Sequence, residues 1–285
     1  MQTNINRKRH GLIPIDINIS KWPWWAVVLV LAGLALSILI LTSKNYMDTF
    51  IYLTIGVKST LRITLFSFTM ATILGLITGL ARVSKNLFLY NISTLYVEIV
   101  RGIPLVVLML YIAFALVPVL VEMIKSVGAW GISNFPAIGL FRSLASFSIR
   151  VVSMEGRAII ALGFGYGAYE AEVFRAGIQS ISKGQVEAAK SLGMTNIQAM
   201  RFIVLPQAVR RVLPPLGNDF IACLKDSSLA TVLAVPELTQ MGRLRRATTF
   251  RVMETFNVIA FLYLSMTLLL SSIVRWLEKK LKIEE

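Results

Sequence analysis

The 285-residue chain has one cysteine, Cys223, and one histidine, His10. A single thiol excludes a disulfide framework, and without a His/Cys cluster a transition metal has none of its usual nitrogen and sulfur ligands. Cys223 stands among apolar neighbours, the setting of a buried thiol. Charge is scarce: 15% of the residues are charged against 56% hydrophobic, and mean hydropathy is +0.70. Such usage excludes an ordinary soluble domain. Acidic residues are especially few, 15 against 29 lysines and arginines, which leaves a net charge of +14. In a soluble protein that surplus would point to nucleic acid. Here the basic residues flank apolar runs, where they meet anionic headgroups, so no nucleic-acid partner is expected. No Gly-x-x-x-x-Gly-Lys-Ser/Thr loop occurs, and Gly163-Phe-Gly-Tyr-Gly167 opens no βα unit, so the chain has no phosphate loop of its own. It also lacks low-complexity tracts and internal repeats, which favours one membrane domain.

What is present is a series of long apolar runs. A hydrocarbon core of about 30 Å needs about 20 helical residues. Residues 24–42 meet that requirement, introduced by the aromatic anchor Trp22, Trp24 and Trp25. No small-residue cleavage site follows Thr42, so this is read as an uncleaved span preceded by a cytoplasmic tail, 1–23. Further spans are expected near 57–81, 95–121, 157–178, 207–234 and 255–275, making an all-α polytopic membrane protein of about six transmembrane helices. Residues 122–156, with Trp130, Phe135, Pro136 and Phe141, read as a long outer connection lying at the interface.

One polar segment between spans is built too carefully to be a mere linker. Ser182 with Gln185, and Thr195 with Gln198, read as capping boxes. Gly193 stands where the first short helix must end in the left-handed region, and Pro206 marks the exit of the second. The spacing Glu-Ala-Ala, three residues, Gly, nine residues, Ile-x-Leu-Pro is filled by Glu187, Ala188, Ala189, Gly193, Ile203, Leu205 and Pro206. This resembles the cytoplasmic coupling-loop pattern of permease subunits in ATP-binding-cassette importers. YVEIVRGIPLVV (96–107), YEAEVFRAGIQSISKGQ (169–185), LPQAVRRVLPPLGNDFIACLKDSSLA (205–230) and the Leu-Glu-Lys-Lys ending after Trp276 are similar to its polar amino-acid, histidine/glutamine-type branch. The likeness runs over about residues 50–282, with 182–206 as the coupling loop, and it implies a type I importer permease fold. The family core has five helices, so span 24–42 is an extra one.

Charge alone orients the chain weakly, with thirteen basic residues assigned inside and nine outside. The resemblance decides it, because the Glu187 loop must face a cytoplasmic ATPase.

Charges within spans are costly and draw attention to themselves. Glu98 with Arg101, and Glu172 with Arg175, lie three apart and can neutralise one another. Glu170 has no cation three or four residues away, so its partner must come from another helix, water or cargo. Asp219, Cys223 and Asp226 share one helical stripe, with Asn218 and Lys225 beside it. A stripe this polar cannot face lipid and must line a subunit interface or a path. Glu170, Glu172, Asn218, Asp219, Lys225 and Asp226 are therefore the path candidates. Gly75/Gly79 and Gly163/Gly167 are spaced for close helix packing. Arg243, Arg245, Arg246 and Arg251 form a basic cluster on the last outer loop, suited to docking a binding protein.

The resemblance implies a dimer of permease subunits around a central path in a prokaryotic plasma membrane. A cytoplasmic ATPase dimer would carry ATP and Mg, an external solute-binding protein would deliver a polar amino acid, and this chain would bind no cofactor and hydrolyse nothing itself. Two other classes compete. A secondary transporter or channel would explain charges within spans but not the capped loop. A membrane-anchored assembly or signalling protein would explain the loop but not the polar stripe.

Overall fold

The computed structural model describes residues 24–135 and 138–281; the tail 1–23, Pro136 and Lys282 lie outside them. The described residues form helices joined by short turns. The first is α1 (Trp24–Thr42), and the extended backbone of Ser43 turns the chain into the 39-residue α2 (Lys44–Arg82). Asn86 then opens α3 (Leu87–Gly102) by accepting the backbone N–H groups of Phe88 and Leu89.

The span expected at 95–121 is not one helix. Pro104 cannot donate and holds Ile103 extended, at φ −105° and ψ 133°, so α3 stops and a new helix starts at Leu105. That helix runs as α4 (Leu105–Tyr111), a π-turn (Ile112–Leu116) and α5 (Val117–Asn134), and together they make an apolar segment long enough to cross a membrane. The first thirteen residues of the expected outer connection, 122–134, are therefore helical. The π-turn lies just ahead of Pro118, whose missing donor widens the ladder. Its Ala113 carbonyl accepts from the buried Arg157 at 3.0 Å. After the short α6 (Gly139–Ala145) and a 3-10 turn (Ile149–Val151), Ser153 caps α7 (Met154–Gln179).

The coupling segment follows as α8 (Lys183–Ser191), α9 (Asn196–Ala199) and a second π-turn (Met200–Val204), leading into α10 (Leu205–Asp226). A 3-10 segment (Ser227–Leu233) ends at Ala234, which is left-handed at φ 55°. The chain closes with α11 (Leu238–Thr249) and α12 (Val252–Leu281).

Among the described residues, four helical segments are long and apolar enough to span: Trp24–Thr42, Lys44–Arg82, Leu105–Asn134 and Val252–Lys280. At 26 and 22 residues, α7 and α10 have the length but carry charge, so they need neighbours between themselves and lipid. They find them. The main core gathers Ile63 and Ala71 of α2, Val97 and Val100 of α3, Ile112 and Val121, and Ala161, Leu162 and Ala168 of α7. A second cluster, Ile40, Leu53, Leu238, Met241, Val258 and Ile259, joins α1, α2, α11 and α12. Many large apolar side chains remain outward, Val28, Leu31, Ile51, Phe66, Ile77 and Leu269 among them. In a bilayer, lipid solvates such outward side chains, so helices associate there through close packing and polar contacts rather than through hydrophobic burial.

Candidate functional site

The helix α8 begins at Ser182, but the expected capping box there does not form. The Ser182 side chain accepts no bond. Gln185 instead accepts from Nε2 of Gln207 at 2.8 Å, tying α8 to the start of α10. The end of α8 does follow expectation. Gly193 is left-handed at φ 83°, its N–H reaches the Lys190 carbonyl at 2.9 Å, and Met194 N–H reaches the Ala189 carbonyl at 3.1 Å. This is a Schellman stop with glycine at C′. A Cβ at Gly193 would meet nothing within 4 Å, so the demand for glycine comes from the backbone alone.

At Thr195 the second box is complete. Thr195 Oγ1 accepts from Gln198 N–H at 3.3 Å, and Gln198 Oε1 accepts from Thr195 N–H at 2.8 Å. Pro206 does not end this helix. Its missing donor is absorbed by the π-turn before it, and α9 runs on into α10. The segment is thus one short helix, one tight stop and the foot of a long helix.

Glu187 and Ala188 are exposed on α8, whereas Ala189 is buried beneath them. Leu205 and Pro206 are exposed on the far side. Two apolar side chains flank the glycine stop and stand clear of the fold, Leu192 at 81% and Ile197 at 80% exposed. A cavity of about 530 Å³, lined in part by Ile178, Ile181, Val186, Ala199 and Val204, separates α8 and α9 from the end of α7. Gly193→Val, which forces a β-branched residue into the left-handed region at a cost of about 1–2 kcal/mol, should unseat this arrangement. Co-purification of the ATPase that the sequence resemblance implies, compared with Gly193→Asn, which tolerates that region, measures the effect.

Among the interior residues, Glu170 is fully buried, and both its carboxylate oxygens lack a hydrogen-bond partner among the described residues. Asp219 Oδ2 is likewise buried and unpartnered, while Asp226 accepts from the Tyr166 hydroxyl at 2.8 Å. Cys223 is fully buried between them on the stripe, and Asn218 and Lys225 are exposed on the neighbouring face of α10.

Glu172 stands among arginines. Arg82 bonds one of its oxygens, Arg175 holds the other at 2.7 Å, and Arg101 lies 3.4 Å away. The expected Glu98–Arg101 pair is replaced by contacts between helices: Glu98 approaches Arg82 at 4.0 Å, and Arg101 turns to Glu172. Spacing along α3 could not foresee this, because the competing arginine arrives from α2.

At the opposite end, the basic cluster lies on a helix and not on a flexible loop. α11 is nucleated by the buried Glu237, whose carboxylate accepts from Thr239 and Gln240 N–H at 2.8 and 2.7 Å and from the Tyr263 hydroxyl at 3.0 Å. Burial pushes the Glu237 carboxyl above the usual carboxylate range, and these donors pull against that shift. Arg243 and Arg246 point outward, Arg245 is half-buried with its guanidinium 5.4 Å from the Tyr52 ring centre, and Arg251 follows the left-handed Phe250.

Comparison with known proteins reads this geometry. Residues 71–283 match the family model described as binding-protein-dependent transport system inner membrane component. This chain belongs to that family. The glutamine transport system permease protein GlnP of Escherichia coli (strain K12) is 35% identical over 228 residues, 80% of this chain and 92% of the relative. The probable glutamine ABC transporter permease protein GlnM of Bacillus subtilis (strain 168) is 35% identical over 246 residues, 86% and 97% of the two chains. A crystal structure of an amino acid ABC transporter superposes with a TM-score of 0.66 at 31% identity, covering 85% of this permease and 98% of that chain. The methionine transporter MetNI, at 20% identity and a TM-score of 0.60, shares the fold.

The family model begins well after α1. Sequence reading of the permease missed two features that the structure supplies. Leu192 and Ile197 had a signal, since large apolar residues beside a glycine stop in a polar loop have nothing of their own chain to cover them. Glu237 also had one, standing directly before a helical pattern, but a glutamate is a rare cap and was passed over.

Proposed function

We propose that this permease, as a dimer of permease subunits, forms the translocation path of an ATP-driven importer of polar amino acids in a prokaryotic plasma membrane. The observation that carries the reading is segment 182–206, stopped at Gly193 and capped again at Thr195, which offers Glu187 and the apolar Leu192 and Ile197 to a partner. That partner is a cytoplasmic ATPase dimer, which binds the ATP and Mg. Ala188, Ala189, Gly193, Leu205 and Pro206 shape the contact and fix its aim. Closure of the ATPase dimer pushes on this segment and turns the path outward, and hydrolysis resets it.

The cargo class is supported by relatives named for glutamine, octopine and L-cystine transport. An extracytoplasmic binding protein delivers the cargo, and Arg243, Arg245, Arg246 and Arg251 are placed to meet an acidic lobe of it. The path candidates are Glu170, Asp219, Asp226, Asn218 and Lys225, with Glu172 at the ATPase end. The purified complex in lipid tests the reading. ATP hydrolysis should rise when loaded binding protein is added, whereas uptake without ATP would identify a secondary transporter instead.

Glu170 gives the sharper test of cargo contact. A buried carboxylate without a partner suits a cation that is not always present. Glu170→Gln should slow uptake of arginine and glutamine into vesicles and leave glutamate unaffected or faster. Equal rates for parent and variant with all three would remove Glu170 from the path and leave selection to the binding protein.

A further inference from the structure

The helices α2 and α7 meet almost backbone to backbone. A Cβ added at Gly75 would stand 2.7 Å from the Cβ of Glu170, and one at Gly79 would stand 2.7 Å from the Cβ of Phe174. From the other side, a Cβ on Gly163 would lie 2.9 Å from Met70 Sδ, and one on Gly167 would lie 3.0 Å from Leu74 Cδ2. Helices interlocked over this length cannot slide without first moving apart, because close-packed surfaces are bistable rather than continuously deformable.

Both ends of the seam are pinned by charge. Arg62 makes a two-pronged pair with Glu155, Nε to Oε1 and Nη2 to Oε2, each 2.6 Å. This fork geometry fixes orientation as well as distance. At the other end Arg82, in the last turn of α2 with its side chain only 8% exposed, bonds Glu172 of α7. Arg62 and Arg82 are twenty residues apart, about 30 Å of helix, which is the thickness of a hydrocarbon core. The two pins are therefore separated by about one hydrocarbon thickness along the seam. By contrast, α3 is joined to this pair by looser ionic contacts, at 3.4 and 4.0 Å, next to the break at Ile103 and Pro104. Two turns after the inner pin, α7 ends and leads within a few residues into α8.

We propose that α2 and α7 move as one strut through the transport cycle, locked by Arg62–Glu155 and Arg82–Glu172, and carry displacement of segment 182–206 to the opposite membrane face. The proposal rests on the importer reading above. Arg62 and Glu155 act in it as positioning residues, far from cargo and from the ATPase contact. Glu172 belongs to the same mechanical unit.

The test uses the complete importer in vesicles, with Arg62→Cys and Glu155→Cys combined in a Cys223→Ser background and a short, reducible bifunctional thiol reagent. Without the bridge, cargo uptake should fall about fivefold, equivalent to about 1 kcal/mol of lost coupling. Bridging should restore uptake to that of the Cys223→Ser parent, and reduction should remove the gain. A bridge that arrests uptake reversibly would overturn the strut, since it would mean that α2 and α7 must slide. An unbridged variant as fast as the parent would also overturn it, because the pin would then be idle. The parent separates the two readings. Absent ATP-driven uptake in the parent removes the importer and the strut together, whereas a normal parent with an arrested bridged variant removes the strut alone.

Discussion

Glu187→Ala should leave the permease folded and inserted while nearly abolishing the ATP hydrolysis stimulated by loaded binding protein. Glu187 is exposed on α8. Its removal therefore costs the fold little, because surface substitutions away from caps and cores usually change stability by less than about 0.5 kcal/mol. In the proposed complex the carboxylate accepts bonds from donors on the ATPase. A hydrogen bond to a charged group is worth about 1.5–3 kcal/mol, which is about a ten- to hundredfold loss of productive contact. Leu192 and Ile197 supply the apolar part of the same contact. Stimulated hydrolysis at the parent rate in Glu187→Ala vesicles would remove the carboxylate from the coupling mechanism. Equal membrane yield of parent and variant shows that folding is not the cause of any loss.

Gly75→Val should prevent the permease from accumulating in the membrane. Its Cβ would lie 2.7 Å from Glu170 Cβ and 3.1 Å from the Gly167 carbonyl oxygen, so backbone as well as side chain would have to move. Overpacking of a tight contact costs about 1–3 kcal/mol, and a β-branched residue has few rotamers with which to escape. Gly33→Val is the matched control, since a Cβ there meets nothing within 4 Å. Membrane yield and detergent melting of the two variants should diverge, with Gly33→Val close to the parent. Equal loss in both would mean that glycine is required for reasons other than contact between α2 and α7.

Much of the fold was legible before any coordinates. Apolar run length gave α1, α12 and the body of α2 without its first thirteen residues, and the Gly75/Gly79 and Gly163/Gly167 spacing marked two close-packing faces without pairing them, because these are local properties of composition and helical period. The Gly193 stop and the Thr195 box were also readable, since capping chemistry acts within one turn. The errors share a cause. Ser182 lost its expected partner because Gln207, distant in sequence, bonds Gln185. Glu98 and Arg101 were expected to pair because they share a face, yet Arg82 and Glu172 arrive from α2 and α7 and compete for both. The span expected across Pro104 ignored a proline that outweighed continuous hydrophobicity.

The sequence by itself determined that this is a polytopic helical membrane protein with a stiff polar segment between spans. Those conclusions rest on hydropathy, spacing and capping, each fixed within a few residues of the chain. Only the tertiary structure decided which charges meet. Glu172 is held by Arg82 and Arg175, while Glu170, two residues away, is buried with no hydrogen-bond partner among the described residues. Nothing in their local sequence separates them. Successive residues on a helix point about 100° apart, and what each then faces is set by the helices that pack around α7.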